Sequence, residues 1–139
     1  MTERVLVDTG AIYAFVVRGD ANHVHARRFV KSWLARKGVF VLGDVVFAET
    51  MTLLKARIGG DVAIRVGREL RENAAYAWVA LGPDGERDTW SVFQRFDDKE
   101  WSYTDCALLV LGRRLDVPRV FSFDRHIAKM PELERVTRR

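Results

Sequence analysis

Cysteine is almost absent from this sequence. Cys106 is the single thiol in 139 residues. One thiol forms no internal bridge, so a disulfide-stapled scaffold is excluded and a reducing compartment is expected. The apolar stretch at residues 107–111 is far too short to cross a bilayer. The opening MTERVLVDTG has an acidic residue at once and only a three-residue apolar run, so no signal peptide is expected there. A cytoplasmic location is the expectation. There is no glycine-rich phosphate loop and no GxGxxG, and His23, His25 and His126 lack a zinc-binding spacing. Gly10, not a second aspartate, stands two after Asp8, which disfavours a phosphatase with an aspartyl nucleophile. Residues 124–126 lack the lysine that a receiver domain needs.

What is present is a chain that is 48% apolar, enough for a core of its own, and of a length that fits one domain over residues 1–139. The net charge is +4 and the pI about 9.6, and arginine heavily outnumbers lysine among the 23 basic residues. The planar two-pronged guanidinium suits phosphate, so the bias suits nucleic acid if these side chains border a reactive site.

Short apolar runs at 5–7, 39–42, 76–81 and 120–123 predict strands, and residues 134–137 predict a fifth at the edge. Helices are expected over 11–17, 22–36 (ended by Gly38), from an Asp44 cap to about 58, over 62–73, over 86–96, from a Ser102 or Thr104 cap to 115, and briefly before Pro131. Gly82-Pro83-Asp84-Gly85 predicts a turn. The four tryptophans are expected in the core. Strands alternating with helices predict a three-layer α/β/α sandwich with a mostly parallel sheet of about five strands.

In such sheets ligands bind beyond the carboxyl ends of the strands. Asp8 and Asp124 both follow an apolar strand. Glu49 is expected on the inward stripe of its helix, and Lys55 and Arg57 are expected off its face, which argues against a plain salt bridge. Asp105 opens a helix apolar nearly all round, which is expected to be buried. Each aspartate alone also suits a turn or a helix start. Together the four are informative. Like charges about 4 Å apart repel by roughly 4 kcal/mol per pair at an effective dielectric of about 20, so such a cluster stays ionised only around something positive. Oxygen-only ligands select Mg²⁺ or Mn²⁺, ions suited to phosphodiester hydrolysis. Cys106, inside the buried helix, is expected to be inert core.

Val-Asp-Thr-Gly-Ala at 7–11, Phe-Ala-Glu-Thr at 47–50, Tyr-Thr-Asp-Cys-Ala at 103–107 and Phe-Ser-Phe-Asp-Arg-His at 121–126 resemble the motifs of the PIN-domain nucleases, most of all the small VapC-like toxins. The resemblance implies a metal-dependent endoribonuclease cutting single-stranded RNA or RNA loops, with an antitoxin partner. By resemblance Asp8, Glu49, Asp105 and Asp124 are the catalytic and metal-binding residues, with Mg²⁺ or Mn²⁺ as cofactor, and Thr9 supports the ion's water. Arg18, Arg27 and Arg125 are candidates for holding RNA phosphates. A homodimer is expected, partly because Met51, Leu54, Val62 and Val66 lie on two consecutive amphipathic helices. Two alternatives stay open: a catalytically inactive PIN-like module that binds RNA or protein, and a DNA-directed nuclease of related fold.

Overall fold

The structure is a computed structural model in which residues 2–137 are described. Five strands form one parallel sheet: β1 (Arg4–Val7), β2 (Val39–Gly43), β3 (Tyr76–Val79), β4 (Arg119–Phe121) and β5 (Glu134–Val136), in the order β3-β2-β1-β4-β5. Seven helices connect them: α1 (Thr9–Val16), α2 (His23–Ala35), α3 (Asp44–Arg57), α4 (Gly60–Glu72), α5 (Gly82–Arg95), α6 (Tyr103–Leu115) and α7 (Arg125–Ala128).

Alternation along the strands builds the two layers that flank the sheet. Val7, Phe40, Tyr76 and Phe121 point to one face, where they meet Ile12 of α1, Val30 of α2, and Val66 and Leu70 of α4. Phe29 stacks on Phe121 there with ring centroids 4.3 Å apart. On the other face Leu6 and Gly43 lie against Gly112 and Leu111 of α6, and α5 covers α6. The central strand β1 is buried at Val5, Leu6 and Val7, which explains its unbroken apolar run. This is the expected three-layer sandwich.

The chain moves outward from β1 through β2 to β3, then returns to lay β4 against the other side of β1. The direction of winding therefore reverses between β1 and β4. Loops diverge at such a point and leave a crevice at the carboxyl ends of the strands. Asp8 and Asp124 follow those two strands.

Several expectations need correction. Residues 82–85 are not a turn but the first turn of α5, which Pro83 can enter because a helix start has no use for its missing N–H. Gly43 caps α3, and Asp44 is its first helical residue; its carboxylate accepts from Val45 N at 2.9 Å and Leu81 N at 3.1 Å, tying α3 to the end of β3. Lys37, at φ +57°, makes the turn after α2. Gly38 is required for a different reason: a Cβ there would lie 2.3 Å from the Trp33 ring.

Trp33 is core at 1% exposure, but Trp78 and Trp90 are 43% and 54% exposed, so the tryptophans do not share one role. Trp90 stacks on Phe93, which meets Tyr103 edge-on, along one open side of α5. Val24 and Leu34 of α2 are likewise exposed. Leu54 is fully buried, and Met51 packs on Gly67 of α4. Those two side chains join α3 to α4 within the chain.

Candidate active site

Asp8 caps α1. Its Oδ1 accepts from Thr9 N at 2.8 Å, so the carboxylate is fixed where β1 ends and the helix begins. Its Oδ2 accepts from the Ser122 hydroxyl at 2.8 Å, and that hydroxyl oxygen accepts from Asp124 N at 3.0 Å. Ser122 is fully buried and links the ends of β1 and β4. Asp124 caps α7 and accepts from His126 N at 2.7 Å.

Asp105 arrives from the other layer. Ser102 accepts from Asp105 N at 3.0 Å while Asp105 Oδ2 accepts from Ser102 N at 2.9 Å, a reciprocal capping box that starts α6. Ser102, not Thr104, is therefore the cap, and Thr104 is free for another task.

These elements bring Asp8, Asp105 and Asp124 together, with one carboxylate oxygen of each within 4.8 Å of the others. Asp8 and Asp105 are buried and Asp124 is partly so. Burial is the main reason the Asp8 carboxyl is pushed up to about 6; the Asp105 and Asp124 charges add to it, and the hydrogen bonds from Ser122 and Thr9 oppose it. Asp105 is raised as well, first by burial and then by Asp124, against the bonds from Ser102. Three carboxyls held this close gain from a cation among them. Thr9 Oγ1 lies buried beside them with no hydrogen-bond partner among the described residues, so an unmatched oxygen adjoins the acidic set. This donor set fits a hard divalent ion.

Glu49 stands apart from that trio. It is exposed, not inward, because α3 buries Val46, Thr50 and Leu54 and turns Glu49 to the open cleft. Thr104 Oγ1 donates to its Oε2 at 2.9 Å, so it is still fixed on the cleft wall. Asp8, Glu49, Asp105 and Asp124 thus line one cleft, with three clustered and the fourth beside them.

Sequence reasoning missed Ser122, Thr104, Tyr13, Asp20, Asn22 and Arg57 as parts of this site. Arg57 was legible: Glu49, Leu53 and Arg57 recur every four residues, the spacing of one helix face. The expectation that Arg57 lies off the face of Glu49 is wrong. Arg18, Arg27 and Arg125 are exposed, and none lines the cleft. Cys106 is buried, and burial, then the Asp105 charge, pushes its thiol up to about 11, which keeps it unreactive.

Comparison with known proteins finds relatives of the same fold. The 23S rRNA-specific endonuclease VapC20, from two strains of Mycobacterium tuberculosis, is 28% identical over 120 residues, covering 86% of this chain and 88% of its own. The crystal structure of Mycobacterium tuberculosis VapC20, described as a sarcin-ricin loop cleaving toxin, superposes with a TM-score of 0.78 at 27% identity, covering 86% of this chain and 89% of that one. The PIN domain model matches residues 5–133, and the chain belongs to the PIN domain family.

Proposed function

We propose that this protein is a divalent-metal-dependent endoribonuclease and the toxin of a toxin–antitoxin pair. The convergence of Asp8, Asp105 and Asp124 at the reversal point of the sheet carries this reading. The relatives named for 23S rRNA cleavage point to a structured RNA loop as substrate.

In this reading Asp8, Asp105 and Asp124 hold Mg²⁺ or Mn²⁺, and Glu49 supports the ion's surroundings from the facing wall. A bound ion supplies Lewis acidity toward water and the phosphoryl group. The chain's own residues supply position. Ser122 holds the Asp8 carboxylate at a fixed angle, and Thr104 does the same for Glu49. Ser102 sets the start of α6 so that Asp105 faces the cleft. The N-terminal ends of α1 and α6 place partial positive charge behind Asp8 and Asp105, which offsets part of their mutual repulsion.

A cognate antitoxin, a homodimer and a cytoplasmic location belong to the same reading. No helix among the described residues is long and apolar enough to cross a membrane. The test is direct. Purified protein with Mn²⁺ should cut ribosomal RNA at discrete positions found by end mapping, and Asp8→Asn and Asp105→Asn should each abolish cutting. Undiminished cutting by both variants would refute the proposal.

A further inference from the structure

We propose that Arg57 grips an RNA phosphate flanking the one that is cut, and that Tyr13 holds its guanidinium ready. This rests on the nuclease reading above and deepens it.

The cleft is lined by Asp8, Asp20, Glu49, Asp105 and Asp124, and Arg57 is its single lysine or arginine among the described residues. A polyanion entering it meets five carboxylates. A bound divalent ion answers only the clustered ones, so a further fixed cation is needed where the strand continues past the centre. Arg57 supplies it at the last residue of α3. Eight residues at 1.5 Å each put its backbone about 12 Å along the helix axis from that of Glu49.

Among the described residues Arg57 is unpaired in an acidic cleft. An arginine sharing a cleft with five carboxylates is expected to pair with one. Arg36, Arg113, Arg114 and Arg119 all pair with carboxylates elsewhere in the molecule. Arg57 has no ion pair and no side-chain hydrogen bond among the described residues. Its guanidinium carbon instead lies 5.6 Å from the centroid of the Tyr13 ring, and Tyr13 also lines the cleft from α1. Stacking on a ring face satisfies the flat side of a guanidinium and leaves its edge N–H donors open. Those donors match two oxygens of one phosphate.

The inference predicts a salt signature that a packing role would not produce. A fluorescently labelled stem–loop RNA of mixed sequence is titrated with full-length protein in the Asp8→Asn background, which prevents cutting, over a range of salt. Arg57→Ala should weaken binding about tenfold, and the slope of log affinity against log salt should shrink by about 0.7 to 1, the loss of one phosphate contact. Arg57→Lys should keep most of the slope while losing part of the affinity. Tyr13→Phe should match the parent, whereas Tyr13→Leu should weaken binding. Mn²⁺ binding by calorimetry, with Asp8 present, should survive Arg57→Ala.

An Arg57→Ala variant with unchanged affinity and slope overturns the assignment, and so does one that loses affinity with the slope intact. Loss of Mn²⁺ binding in Arg57→Ala also overturns it, because the residue would then act on the centre itself. Tyr13→Leu binding as tightly as the parent removes Tyr13 from the proposal. A wild-type chain that does not cut RNA refutes the nuclease reading; one that cuts while Arg57→Ala binds normally refutes only the role of Arg57.

Discussion

Asp8 is where stability and chemistry conflict. Its carboxyl is about 6 in the folded protein against an ordinary value of 3.8. The folded state therefore binds the proton more tightly than the unfolded chain does. Below about pH 4 both states are protonated and the site costs nothing; between about pH 4 and 6 the metal-free fold loses stability as pH rises, and above 6 it carries the full cost of a buried charge. The gap between those two values sets an upper bound of roughly 3 kcal/mol. Asp8→Asn should thus raise the melting temperature of the metal-free protein by several degrees near neutral pH, shrinking to nothing at about pH 4, while abolishing cleavage. Equal melting curves at neutral pH would contradict this account. Thr104 offers a second test. Thr104→Val keeps the shape but frees Glu49, so cleavage should fall several-fold while stability changes by less than about 1 kcal/mol, read by kinetics and denaturant melts.

At the scale of elements, helix starts set the site. Three of the acidic residues sit at the beginnings of α1, α6 and α7, two as caps and one as the third residue of a capping box. Ser102→Ala removes the bond to Asp105 N and should cost about 1 kcal/mol of stability. It should also slow cleavage, because Asp105 then loses the fixed start of its helix; an unchanged rate would show that α6 is held by packing alone. Gly38 tests the opposite end of the sheet. With the Trp33 ring 2.3 Å from a would-be Cβ, Gly38→Ala must displace a core indole, and a loss of about 1–3 kcal/mol is expected in thermal melts with cleavage chemistry otherwise intact.

At the scale of the whole molecule, metal binding and folding are linked. An ion that binds only the folded cleft stabilises it by about 2.7 kcal/mol at a hundredfold excess over its dissociation constant. Mn²⁺ should therefore raise the melting temperature of the wild type but not of Asp8→Asn. The increment should grow from about pH 5 to pH 7, because the ion must displace the proton that buried Asp8 retains. An increment that is flat over that range would remove Asp8 from the ligand set.

The strands and their order of appearance were readable from the chain because β1, β2 and β4 are buried on both faces and so remain apolar without alternation. Asp8 and Asp124 were readable for the same reason, since each interrupts such a run. The inward placement of Asp105 followed from a helix apolar on every side. The face of α3 was not readable in this way. Its buried residues are Val46, Thr50 and Leu54, while Phe47, Ala48 and Leu53 lie outside that stripe, so apolar residues surround the helix and periodicity alone does not say which side meets the sheet. The apolar pattern alone therefore turns Glu49 inward, whereas the structure turns it to the cleft.

By itself, then, the sequence determined the class of fold and the identities of four acidic residues, because burial and charge leave their mark on residue type. Only the tertiary structure decided that Asp8, Asp105 and Asp124 form the close group, that Glu49 stands on the facing wall under Thr104, and that Arg57 shares their cleft. These are distances between elements far apart in the chain, fixed by strand order and by which helix face packs, and no local pattern carries them.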